Sequence, residues 1–412
     1  WDYIENNSQR MIGGCIWDWA DQAHIKLGDQ QIKYYYGGDF GDKPNDGDFS
    51  GNGLTTPDRR VTAKLLEVKK VYEYIKLKDV ALLSGRIGIE NRYNFSDLSM
   101  FEIEWKVLKD GSVVQSGKMN TPTLLPSEKT SIVVPFVRNF DGGSEYFLNV
   151  DIVLKEDKLW AEKGHIVASE QFSLKDRIAV PQINTDNLPQ LTVKKALNTL
   201  NISGNNFSVD LDEKTGTLTS LKYAGREMIY NKSGLFFNWY RNVSNDKYTD
   251  QNHYESEYTS PLLTYQVAQD KKSVTILFNS TVLIKNDRGV KVPLSTKYVI
   301  YSNGTIDVDA SFTKPDNAGI IRRLGLQMLL SAGYENIQYY GAGPHENYSD
   351  RKTSAFIGLY NTTVKGMEAE HYIRTQSMGN REDVRYVTIT NDKNEGLKIS
   401  SKDRLNFSAL HF

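Results

Sequence analysis

Phe101-Glu102-Ile103-Glu104-Trp105-Lys106-Val107, answered later in the chain by Leu148-Asn149-Val150-Asp151-Ile152-Val153-Leu154, is the stretch that decides the fold. In each, large apolar residues alternate with polar ones almost without exception, the period of a strand with one face in a core and one in water. Lys109-Asp110-Gly111-Ser112 closes the first stretch with a tight turn, because Asp-Gly tolerates the positive φ that a two-residue hairpin loop demands. These residues predict antiparallel β-structure.

Working outward, the period-two pattern fills roughly residues 77–176, the usual size of an immunoglobulin-like β-sandwich. Residues 177–190 hold Pro181 and Pro189 among polar residues with no sustained period, and read as a linker. From 191 to 412 strand patterning continues, with turns at Thr215-Gly216 and Ser302-Asn303-Gly304, and predicts a large antiparallel sandwich. Before residue 77 the pattern is mixed. Cys15, Ile16 and Trp17 read as a short buried strand, with Cys15 a small core hydrophobe. A polar loop follows from Tyr36 to Asp58. Thr56-Pro57 is a helix start, after which Leu65, Leu66, Val68, Val71, Tyr72 and Ile75 recur at helical spacing. Strand, loop and helix together make an α/β unit.

Composition narrows the function. The 412 residues carry 50 Lys+Arg against 51 Asp+Glu, so no global basic field exists to gather nucleic acid or anionic lipid. No apolar run reaches the length of a membrane span, and the single cysteine forms no intrachain disulfide. An aromatic content of 11% in a chain of mean hydropathy −0.50 suits polar surfaces that carry flat rings, as sugar-binding surfaces do. Trp1 is preceded by no Met, and the alternation Leu405, Phe407, Ala409, His411 runs to the last residues, so the expectation is a fragment of a longer protein.

Two places could carry chemistry. The loop 36–53 is dense in Asp, Asn and Gly, the hard-oxygen set that Mg²⁺, Ca²⁺ or an alkali cation prefers; the alternative is a surface loop whose Asp and Asn only make local turns. Placing an EF-hand at Asp42 puts Pro44 at its third position and Gly53 where the closing Glu belongs, which excludes that template. Trp17-Asp18-Trp19 puts two indoles on one strand face, either as a sugar platform or as core. Asp18 and Asp21 lie too close along the chain to flank a glycosidic bond, and read as structural. His24, His165, His253, His345, His371 and His411 show no metal spacing, and His345 reads as a turn residue.

Gly13-Gly14-Cys15-Ile16-Trp17-Asp18-Trp19-Ala20-Asp21-Gln22, the loop from Tyr36 to Arg59, Arg323-Leu324-Gly325-Leu326 and Tyr340-Gly341-Ala342-Gly343-Pro344-His345-Glu346-Asn347-Tyr348-Ser349-Asp350-Arg351 occur here in one order. Together they resemble the large bacterial β-galactosidases of glycoside hydrolase family 2, from end to end of the chain. The resemblance implies a multidomain, mainly β chain: residues 1–76 as the end of a parallel β/α barrel, 77–176 as an immunoglobulin-like sandwich, 177–190 as linker, and 191–412 as a large antiparallel galactose-mutarotase-like β-sandwich, incomplete at its end. It implies a retaining hydrolase of terminal β-D-galactosides of bacterial type, with homo-oligomerisation as a further expectation; composition points to no nucleic-acid or membrane partner, and bacterial cytoplasm and periplasm both stay open as the compartment. A non-catalytic carbohydrate-binding or assembly module, or a relative acting on another β-glycoside, stays open beside it.

By resemblance, Trp17 is a sugar-contacting tryptophan, Phe49 (through its carbonyl) and Asn52 bind a sodium ion beside the substrate, and Asn45 lies near a magnesium site. Phe49 also matches a mobile aromatic gate. Both catalytic glutamates fall upstream of Trp1, so the chain alone is expected to be inactive. The segment His371 to Arg381 departs from the family pattern.

Overall fold

The computed structural model describes residues 1–26, 33–176, 183–239, 256–284, 290–316, 323–368, 372–374 and 376–411. Residues 177–182 of the expected linker, with Pro181, lie outside these, as do His253, His371 and Thr375; residues 183–190 carry neither helix nor strand.

The two stretches that opened the reading pair directly. Phe101–Lys109 lies antiparallel to Tyr146–Leu154, with Ile103 opposite Ile152, Trp105 opposite Val150 and Val107 opposite Leu148. Ser112–Asn120 and Ile166–Lys175 complete a four-stranded sheet, and Ile75–Ala81, Arg86–Asn91 and Lys129–Val133 form the three-stranded sheet that faces it. Their apolar faces meet in one core that includes Ile87, Ile89, Ile103, Val107, Leu148 and Ile152, each essentially sealed from solvent. The hairpin turn is as expected, with Asp110 and Gly111 at φ of 47° and 84°. Trp105 fits because Gly117 faces it on the neighbouring strand; a Cβ there would sit 2.6 Å from the indole Cζ2.

The described strands of the remaining chain pair antiparallel. A five-stranded sheet from Thr192–Ala196 to Arg226–Glu227 packs Leu200, Ile202, Val209 and Leu211 against Val274, Ile276, Tyr298 and Ile300 of a four-stranded sheet built from Ser256–Val267, Ser273–Ile284, Val290–Tyr301 and Ile306–Phe312. A further sheet has the order Phe356–Thr363, Asn336–Gly343, Arg381–Thr390, Gly396–Phe407.

Three local expectations in the first block are corrected. The helix is Ala63–Val71, capped by Thr62 in extended conformation, and Ile75 already belongs to a strand. Thr56 is committed elsewhere: its hydroxyl donates to Asp58 and accepts the Arg60 N–H at 3.0 Å, closing a turn in which Arg59 has φ 68°. Residues 11–17 form no strand among the described residues; Ile12, Ile16 and Trp17 are exposed, and Cys15 is an exposed free thiol rather than a core residue. Among the described residues no strand pairs with this run, and an apolar run becomes a buried strand only when neighbours cover its edges and faces.

Candidate functional site

The first block holds a pair of interlocked loops, joined by a parallel bridge between Ala20 and Thr55. The N–H of Asp18 donates to the Asn52 carbonyl at 3.1 Å, and Leu54 N–H donates back to the Asp18 carbonyl at 3.0 Å. Thr55 N–H reaches the Trp19 carbonyl and Asp21 N–H the Thr55 carbonyl, both at 2.9 Å, while Gln22 N–H donates to Ser50 at 3.0 Å. Trp17, Phe49 and Asn52, widely separated in sequence, are thereby fixed on one knitted frame. Both indoles project outward, with Trp17 80% and Trp19 61% exposed, and the Phe49 ring is 65% exposed. Neither tryptophan is core.

Asp18 and Asp21 hold this frame. The Asp18 carboxylate accepts the Ala20 N–H at 2.9 Å and the Gln22 amide at 2.5 Å. Asp21 is buried and accepts the Gly53 N–H at 2.7 Å. Burial pushes its carboxyl pKa upward, against the pull of the Gly53 N–H and the Lys64 charge. Gly53 has no room for a side chain, since a Cβ would fall 2.0 Å from the Asp21 nitrogen.

The turn Gly47–Ser50 aims the Phe49 carbonyl at the Asn52 side chain, whose Nδ2 donates to it at 2.5 Å. As placed, the amide turns its N–H, not its oxygen, toward that carbonyl; with the amide rotated so that Oδ1 leads, the two oxygens would be the hard donors an alkali cation takes. Asn45 does not fit in the same way. Its Nδ2 donates to the Asp42 carbonyl at 2.8 Å and its Oδ1 accepts the Gly47 N–H at 3.2 Å, so both ends of the amide are spent on the turn. Asp42 accepts the Gly38 N–H and Asp39 the Tyr36 N–H. Among the described residues no three His, Cys, Asp or Glu side chains gather as a metal cluster.

Residues from the far end of the chain brace the loops and the helix Ala63–Val71, contacts that the sequence reading did not foresee. Gly51 packs on Arg374, whose nitrogen and Cβ would each lie 3.3 Å from a Cβ at Gly51. The Lys64 ammonium stands 5.2 Å over the Tyr372 ring, and the Tyr372 hydroxyl donates to Glu346. Glu67 accepts the N–H groups of Thr353 and Ser354 at 3.0 and 2.9 Å, together with the Ser354 hydroxyl at 2.7 Å. The Gly341–Arg351 motif is largely internal scaffolding: Asn347, fully buried, donates to Ala342 and His345 carbonyls and accepts the Glu382 N–H.

Three family models match this chain in succession: the glycosyl hydrolases family 2 TIM barrel domain over residues 2–77, β-galactosidase domain 4 over 87–175, and the β-galactosidase small chain over 203–412. The last alone spans half of the chain. The chain belongs to the family 2 β-galactosidases. The β-galactosidase of Priestia megaterium is 32% identical over 407 residues, 97% of this chain and 39% of that protein. Those of Halalkalibacterium halodurans and Lactobacillus delbrueckii subsp. bulgaricus are each 31% identical over 97% of this chain, and over 39% and 38% of their own lengths. The chain thus spans about two-fifths of the curated relatives it matches. A solved exo-chitosanase from Amycolatopsis orientalis aligns at 10% identity with a TM-score of 0.21, over 63% of this chain and 29% of its own, too distant to bear on the fold.

Proposed function

We propose that these residues are the C-terminal part of a retaining β-galactosidase, and that the knitted loops are the sugar-binding side of its active site. In that reaction one protonated carboxyl protonates the leaving oxygen while a second carboxylate forms a covalent glycosyl intermediate, which water then releases. Both carboxylates belong to a part of the whole protein outside these 412 residues, and the chain by itself binds and orients.

Trp17 offers its exposed indole as a rigid apolar platform for the C–H face of the galactose ring. Asn52, through Oδ1, and the Phe49 carbonyl would hold a sodium ion. When bound, that ion supplies positive charge to orient a sugar hydroxyl. Asp21, through Gly53, keeps Asn52 in place. The observation that carries this reading is the Asp18 N–H bond to the Asn52 carbonyl, which puts the platform and the oxygen donors on one frame.

Sodium titration of β-galactosidase activity in the whole protein tests it. Asn52→Ala should raise the sodium concentration for half-activation and the KM together, because losing one ligand weakens ion and sugar at once. Superimposable titrations for Asn52→Ala and wild type would reduce the loop to a structural role.

A further inference from the structure

A cavity of about 310 Å³ opens in the terminal sheet, lined by Tyr339, His345, Tyr360, Asn361, Met367 and Arg381 among others. Arg381 is 5% exposed, yet no carboxylate among the described residues pairs with it. Its Nε–H donates to the Tyr339 hydroxyl at 3.0 Å, and Nη1 donates to the Gly379 and Asn380 carbonyls at 3.2 and 3.1 Å. Nη2 makes no hydrogen bond and is not among the side-chain atoms sealed from solvent. A nearly buried guanidinium is therefore compensated by neutral dipoles alone, at Nε and Nη1, with Nη2 left to donate. Burying such a charge is costly unless an anion balances it.

The other polar groups of the wall do not supply that anion. Glu346 also lines the cavity, but its Oε1 accepts from Arg351 and Tyr372 and its Oε2 from the Gly379 N–H. His345 holds the Ser354 hydroxyl with Nε2 at 2.9 Å, and burial together with the Arg381 charge pushes its pKa down to about 4, so the ring is neutral at pH 7. Arg351, the cation next to His345, is paired with Glu346, so Arg381 is left as the unbalanced positive charge, which matches a monoanion better than a doubly charged phosphate. The Tyr339 and Tyr360 rings, with centroids 5.5 Å apart, and the buried Met367 supply apolar wall for the rest of a ligand. We infer that this cavity binds a small carboxylate with a compact apolar or ring body, its carboxylate accepting from Nη2 of Arg381. This inference does not depend on the galactoside reading.

Met367 provides a reporter inside the site. The full chain, with isotope-labelled methionine methyl groups, is titrated with acetate, benzoate, inorganic phosphate and chloride at matched ionic strength. Benzoate and acetate should shift the Met367 methyl resonance saturably while chloride does not. Asn361→Asp, at an exposed lining position where the oxygen that accepts from Gln338 is retained, should weaken benzoate about tenfold by placing a like charge in the wall, with the melting temperature held. Arg381→Lys should weaken it as well, since one ammonium cannot both keep the bonds that Nε and Nη1 make and place a donor where Nη2 stands. The assignment is overturned if Met367 does not respond to either carboxylate, if chloride matches them, if phosphate alone binds, or if Asn361→Asp binds as tightly as wild type.

Discussion

Glu145 and Arg385 form a bidentate ion pair across 240 residues of chain, Nε to Oε2 at 2.7 Å and Nη2 to Oε1 at 2.5 Å, with the carboxylate fully buried. Arg404 adds a third contact at 3.1 Å and the Tyr340 hydroxyl a fourth at 2.7 Å. Burial alone would raise the Glu145 pKa; the Arg385, Tyr340 and Arg404 contacts overcome it and hold it below the usual value. This cluster ties the strand Tyr146–Leu154 to the terminal sheet. Gln171 adds a neutral tie, with its amide bonded to both the N–H and the carbonyl of Ile357.

Removing one member of that cluster strands the others. Glu145→Gln leaves buried Arg385 without its counter-charge and should cost about 3–5 kcal/mol, read as a lowered melting temperature, whereas replacing Glu145 and Arg385 together by apolar residues of similar volume should recover most of it. Equal losses in the single and double variants would show that packing, not the charge pair, holds this junction.

The two exposed tryptophans of Trp17-Asp18-Trp19 differ in the role proposed for them, only Trp17 being a sugar contact. In the whole protein, Trp17→Ala should lower kcat/KM for a β-galactoside by about tenfold or more, roughly 1.4 kcal/mol per decade, with little change in melting temperature. The Trp19 ring is exposed, and Trp19 braces the loop through its carbonyl, which Thr55 N–H and hydroxyl both reach, so Trp19→Ala should also be cheap for stability. Unchanged kcat/KM in Trp17→Ala would remove its sugar-contacting role.

Alternating residues made the sandwich around Trp105 legible because strand period and core face are one property of the same local sequence. The frame that joins Trp17 to Asn52 was legible only through motif resemblance, since backbone bonds between distant loops leave no periodicity. Residues 11–17 misled for a related reason: Cys15-Ile16-Trp17 has the composition of a buried strand, but its burial is set by neighbours. Glu67, Tyr372 and Arg374 gave no signal, because each matters only through contacts made far along the chain.

His345 sets a pH dependence. Its pKa falls from 6.5 to about 4 on folding, through burial first and the Arg381 charge second, with Glu67 opposing. A depressed folded pKa means the stability is present above the unfolded value and is lost as pH falls from about 6.5 toward 4, an effect of about 3 kcal/mol at ~1.36 kcal/mol per unit. Melting curves of wild type and His345→Gln over that window should converge toward acid. Parallel curves would mean that His345 keeps its ordinary pKa in the fold.

The most direct test of the central claim compares this 412-residue chain with the whole protein on a chromogenic β-galactoside, with the β-glucuronide and β-mannoside as controls. The whole protein should turn over the galactoside in preference to the other two, and the chain alone should turn over none. Hydrolysis by the chain at a rate near that of the whole protein would contradict the placement of both catalytic carboxylates outside it, and a whole protein inert toward the galactoside would contradict the activity itself.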